Sequence, residues 1–171
     1  PLCDGAAIEA LRVIGKYLVT SVEEPENLEA RGGMLVGSCL AGISFLKGLG
    51  FVHAISHMVG AEYDTQHGLT NAIVLPVVLR YNLPSLDEKR NRLADALGMS
   101  DKTSDGVIGE IEAKLDLLNI PKSLGEIGVP FECASRISEK AMLDSAASTN
   151  PVRGDVASVK ELVENSIKKA R

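Results

Sequence analysis

His53, His57 and His67 are the only histidines among 171 residues, and they share one run, GLGFVHAISHMVGAEYDTQHGLTNAI, from Gly48 to Ile73. Imidazole is a common transition-metal ligand and titrates near neutrality without perturbation. Metal ligation and proton transfer are therefore the two chemistries this cluster offers. His53 and His57 stand four apart, which on a helix places them on one face. Spacing alone makes these two the first ligand pair. His67 follows ten residues later, just past the turn Asp64-Thr65-Gln66, where a returning loop can bring a third imidazole beside the others. The donor type suits zinc and iron alike. A plainer reading stays open: HxxxH arises by chance on helices, His67 before Gly68 fits a turn, and the KGLG segment fits a simple helix break.

The elements that must position these side chains all read as helices. Asp4 is placed to cap a first helix through Ile8, Leu11, Ile14 and Leu18, which ends at Glu23-Glu24-Pro25. A second begins near Glu26-Asn27. Its small-residue stretch GGMLVGSCLAG marks it as a candidate central helix, because small residues let neighbours approach closely. Gly48 and Gly50 break it. A third helix is expected from about Phe51 to Ala61. A fourth is expected from Leu69 to about Arg80, with Pro76 predicting a kink or a late start. Ser85 with Glu88 reads as a capping box for a fifth, ending at Gly98. Thr103 or Ser104 opens a sixth, turns occupy 122–130, a seventh covers Phe131–Leu143, and Asp155 caps a last helix to Lys169. No alternating pattern supports a sheet. The expectation is an all-α domain of seven or eight helices, with Asn71 and Pro76 shaping the fourth rather than touching substrate.

Composition limits the function classes. Hydrophobic residues make up 45% of the chain, without the ~18–20 uninterrupted apolar residues of a membrane span. The chain is read as soluble and cytoplasmic. The net charge is −5 with dispersed basic residues, and there is no Trp, which argues against a nucleic-acid surface. Cys3, Cys39 and Cys133 show no CxxC spacing and read as free thiols. No signal peptide precedes Pro1, and the absence of an initial Met reads as a fragment or processed product.

The histidines, their glycines and the following Asn and Pro form an ordered pattern, GLGFVHAISHMVGAEYDTQHGLTNAIVLP, Gly48 to Pro76. This pattern resembles the signature of the iron-containing (group III) alcohol dehydrogenases. PLCDGAAIEALRVIGKYL at the start, FLKGLG, LPVVLRYN at 75–82 and TNPVR at 149–153 also resemble segments of that family. Met58 and Gln66 depart from it, standing where prolines are common, which leaves the substrate subclass open.

The resemblance implies a C-terminal helical bundle of the dehydroquinate synthase-like fold spanning residues 1–171, with the N-terminal dinucleotide-binding domain outside this chain. It implies an NAD(P)-dependent dehydrogenase that interconverts alcohols with aldehydes or ketones by hydride transfer. A divalent metal is implied, Fe2+ first and Zn2+ second, held by one Asp and three His. His53 and His67 would be two of these ligands, and the other two would lie in a D-x3-H pair just upstream of Pro1. His57 would sit near the nicotinamide and the reacting oxygen as a proton relay, and the loop Thr149-Asn150-Pro151 would face the nicotinamide side. NAD or NADP would be bound mainly by the missing domain, so the fragment alone is expected to be inactive. Expected partners are a small alcohol or aldehyde, the chain's own nucleotide-binding domain, and a second copy in a homodimer, with no nucleic acid or membrane. The alternatives are a glycerol dehydrogenase or maleylacetate reductase on the same fold, and a non-catalytic helical interaction module whose histidines are structural.

Overall fold

The computed structural model describes every residue from Pro1 to Arg171. It contains eight α-helices, short 3-10 turns and no strand, as the patterning predicts. Two compact units are present: Pro1–Lys47 with Leu86–Leu118, and Gly48–Ser85 with Asn119–Arg171. No single helix is long and apolar enough to cross a membrane. All three cysteines are free thiols.

The first unit is built from α1 (Leu2–Glu23), α2 (Leu28–Ser44), α5 (Asp87–Ala96) and α6 (Ser104–Leu117). Gly33 lies against the ring of Tyr17, and Gly37 against Ile14. A Cβ at Gly33 would stand 2.2 Å from the Tyr17 ring, so the small residues do allow α1 and α2 to meet closely. The expectation that α2 is central is not met. Only Ala30 and Gly37 of α2 are buried, while Leu35, Val36 and Ile43 are exposed. Close approach needs one neighbour, whereas a central position needs several, and α2 packs chiefly on α1.

Two expected caps also differ. Helix α1 begins at Leu2, so Asp4 lies in its first turn, where its carboxylate pairs with Lys47 at 2.5 Å. Helix α5 begins at Asp87 after Leu86, and Ser85 belongs to the preceding 3-10 turn. Asp87 and Glu88 instead set negative charge at the helix's positive end. Thr103 caps α6 as expected, accepting the Gly106 N–H at 3.0 Å.

The second unit carries the histidines. Its helices are α3 (Phe51–Tyr63), α4 (His67–Asn82), α7 (Ala134–Leu143) and α8 (Val156–Lys169). Phe51, Ala54, Ile55 and Val59 of α3 are buried, the spacing of one helical stripe. They meet Ile73, Val74, Val77 and Val78 of α4, Ile137 and Ala141 of α7, and Val159, Val163 and Ile167 of α8 in a common core. Pro76 sits buried inside α4, which is assigned as one helix from His67 to Asn82 although Pro76 offers no N–H to the Ala72 carbonyl. Asp155 caps α8 in a reciprocal box with Ser158.

Candidate functional site

On α3 the core stripe occupies one face, and His53 and His57 fall on the other. At 100° per residue they lie about 200° and 240° from Phe51. Burial of the stripe therefore directs both imidazoles away from the core. Helix α3 stops at Asp64, which adopts a left-handed conformation with φ 52°. Only Asp64, Thr65 and Gln66 separate α3 from α4. The Gln66 side chain caps α4 by accepting the Leu69 N–H at 2.5 Å. Thr70 Oγ1 ties the turn to Thr65 Oγ1 at 2.8 Å. Gln66, one of the departures from the family pattern, thus has a defined local task.

This short connection corrects one expectation. His67 is the first residue of α4 rather than part of a returning loop. The helical hairpin nevertheless brings the three rings together. Ring centroids are 5.8 Å apart for His53–His57, 5.4 Å for His53–His67 and 5.5 Å for His57–His67, the last pair stacked.

Two more side chains complete the arrangement: Asn71, which the sequence marks only as shaping α4, and Asp144, which it does not mark at all. Asn71 lies one turn beyond His67 on the same helix face. Its Nδ2 stands 3.0 Å from His67 Nε2 and 3.4 Å from His53 Nε2, while its Oδ1 is buried with no hydrogen-bond partner. Beyond its place in α4, Asn71 therefore also contacts two of the imidazoles. The i, i+4 relation to His67 was the available signal. Asp144, at the end of α7, accepts a hydrogen bond from His57 Nδ1 at 2.9 Å and from the Ala146 N–H at 2.7 Å. No sequence signal linked it to His57, 87 residues earlier.

The electrostatics favour neutral His53 and ionised Asp144. Burial, with smaller contributions from the charges of His67 and His57, pushes the His53 pKa below its ordinary value. For Asp144 burial acts against the charged form, but the Ala146 N–H and then the His57 hydrogen bond outweigh it and hold the carboxyl below its ordinary pKa. Because the carboxylate only accepts, His57 carries a proton on Nδ1, and in the neutral ring Nε2 is the acceptor.

The neighbouring loop has a structural task. Asn150 Oδ1 accepts from the Phe51 N–H at 3.1 Å and from Asn82 Nδ2 at 3.2 Å, and Asn150 Nδ2 donates to Asn82 Oδ1 at 2.8 Å and the Val152 carbonyl at 2.7 Å. Asn150 thus latches the start of the histidine helix to the end of α4. Thr149 packs on Gly48, whose φ of +94° and 2.5 Å clearance for a Cβ both require glycine. These contacts explain TNPVR and the first glycine of GLG without invoking a ligand.

As a metal site the arrangement is partial. No three His, Cys, Asp or Glu side chains gather in a way that could hold an ion. Catalytic zinc sites normally use three protein ligands. What the chain does offer is two imidazole nitrogens, those of His53 and His67, that both contact the Asn71 amide nitrogen. That donor pair fits a share of a divalent coordination sphere.

Comparisons with known proteins cover nearly the whole chain. The family model "Fe-containing alcohol dehydrogenase family, C-terminal" matches residues 1–167. The 1,3-propanediol dehydrogenase of Citrobacter freundii is 36% identical over 172 residues, covering 95% of this chain and 44% of that protein. The NAD-dependent methanol dehydrogenase of Bacillus methanolicus is 31% identical over 98% of this chain and 46% of its own length. A crystal structure of 1,3-propanediol oxidoreductase superimposes with a TM-score of 0.94 at 33% identity, covering 98% of this chain and 46% of that one. The chain thus spans less than half the length of these relatives. It belongs to the iron-containing alcohol dehydrogenase family and corresponds to that family's C-terminal, all-helical part.

Proposed function

We propose that residues 1–171 form the metal-binding helical domain of an NAD(P)-dependent alcohol dehydrogenase acting on small alcohols and the matching aldehydes or ketones. His53 and His67 would hold a divalent cation, Fe2+ or Zn2+, and the nicotinamide cofactor would be bound mainly by a nucleotide-binding domain outside these residues. The observation that carries this reading is the convergence of the His53 and His67 Nε2 atoms on a single Asn71 nitrogen, at 3.4 and 3.0 Å, beside a third, oriented imidazole. The names of the relatives, dehydrogenases of 1,3-propanediol and methanol, support a short-chain alcohol as substrate.

The bound cation would act as a Lewis acid on the alcohol or carbonyl oxygen. The chain's own residues provide the rest. His57 stacks beside His67, and as the neutral ring with its proton on Nδ1 it can take a proton at Nε2 from a hydroxyl or from a water bound next to it. Asp144 supports that role by fixing the ring orientation and tautomer through Nδ1.

The test separates ligation from proton transfer. In the purified protein, His53→Ala and His67→Ala should abolish stoichiometric metal measured by elemental analysis. His57→Ala should retain the metal and lose about 10²–10⁴-fold in turnover. Full metal content in the His53→Ala, His67→Ala double variant would overturn the ligand assignment.

A further inference from the structure

Asn71 is polar, faces both proposed ligands, and has one half of its amide buried without a partner. A side-chain amide nitrogen carries two hydrogens and no lone pair for hydrogen bonding, so it only donates. Any ring nitrogen that it bonds must therefore be unprotonated. The 3.0 Å contact to His67 Nε2 and the longer 3.4 Å contact to His53 Nε2 assign the same state to both rings. Each carries its proton on Nδ1 and keeps the Nε2 lone pair directed at the shared point. A ring in water is free to exchange between tautomers, and the Nε2–H form is blocked from binding a metal through that atom.

Resting on the reading above, we propose that Asn71 is a positioning residue that sets His53 and His67 in the ligating tautomer before any cation arrives. The two amide hydrogens serve the two imidazoles together: α4 holds His67 and Asn71 four residues apart on one face, and the packing of α3 on α4 adds His53. Oδ1 accepts nothing, so the side chain is oriented by the contacts of its nitrogen. Asp144 does the same for His57 through Nδ1. In their neutral forms all three imidazoles then share one tautomer, with the proton on Nδ1, and two different residues favour it.

The experiment is 15N NMR of the histidine rings in the metal-free, full-length protein, with Asn71→Asp and Asn71→Ala beside the parent. His57 is the internal reference, since Asp144 sets it independently. In the parent, Nε2 of all three rings should give the unprotonated signature. Asn71→Asp keeps the shape but replaces a donor by an acceptor, so Nε2 of His53 and His67 should become protonated while His57 is unchanged. Asn71→Ala should release His53 and His67 to a mixture of tautomers. Protonated Nε2 in the parent, or rings unmoved by Asn71→Asp, would overturn the proposal. Titration with Co2+ as a spectroscopic probe tests the parent reading separately. If the unmodified protein binds no Co2+, or His67→Ala binds it equally well, the metal assignment fails whatever the tautomers show.

Discussion

Replacing Asn150 by Ala tests how the histidine helix is anchored. Asn150 and Asn82 are both about 8% exposed, so water cannot substitute for lost partners. The change removes four hydrogen bonds. The Phe51 N–H, one of the unpaired donors at the start of α3, loses its acceptor. The Asn82 amide loses a partner at each end. Leaving a buried polar group unsatisfied costs about 1–3 kcal/mol. Two such groups give about 2–6 kcal/mol, a large part of the ~5–15 kcal/mol that holds a domain folded. Urea denaturation should show this loss, and hydrogen exchange at the Phe51 amide should accelerate beyond the global change. The paired substitution Asn82→Ala with Asn150→Ala should cost clearly less than the sum of the single changes, because each single change strands the other's partner. A loss under about 1 kcal/mol, with Phe51 protection intact, would refute the latch.

Asp144→Asn should keep metal content and fold while lowering turnover about tenfold or more, with an altered pH profile, since the amide can pair with the wrong tautomer of His57. Gly48→Ala should destabilise by about 2–4 kcal/mol in thermal or urea melts, because φ is +94° and the new Cβ would overlap Thr149, whose hydroxyl is committed to the Leu49 and Ala146 carbonyls. Glu62 on α3 is held below its ordinary pKa, first by Arg136 and then by Lys140 on α7. Its contribution to stability is therefore full above its unfolded pKa of about 4.3 and is lost as pH falls through the lower folded value. The melting-temperature gap between the parent and Glu62→Gln should be constant above about pH 5 and close on acidification.

The helical frame was legible because the apolar period of α1, the start of α2 near Asn27 and the caps at Thr103 and Asp155 are local signals. Local signals also account for the misses. Ser85 and Glu88 have the spacing of a capping box, yet the chain places Leu83–Ser85 in a 3-10 turn and starts α5 two residues later. The stripe of α2 correctly announces close approach but carries no information on how many helices approach. His67 looked like a loop residue because glutamine is an uncommon cap, and only the Leu69 N–H contact shows Gln66 acting as one. Asp144 was beyond reach of sequence reasoning, since its place beside His57 depends on α7 packing against α3.

The division of labour on α3 explains why the site can be read separately from the fold. Phe51, Ala54, Ile55 and Val59 fill the core, while His53 and His57 occupy the opposite face and contribute no buried apolar surface to it. The contacts that orient the imidazoles come from outside this helix: Asn71 from α4 and Asp144 from the end of α7. The contacts that fix the helix itself, Asn150 on Phe51 and Thr149 on Gly48, touch none of the rings. Two sets of residues, nearly disjoint, hold the scaffold and aim the chemistry. Spacing within α3 pairs His53 with His57 because it sees only one helix. Across α3 and α4, the ring nitrogens that contact the same amide nitrogen are those of His53 and His67, and His57 is the ring bonded to a carboxylate.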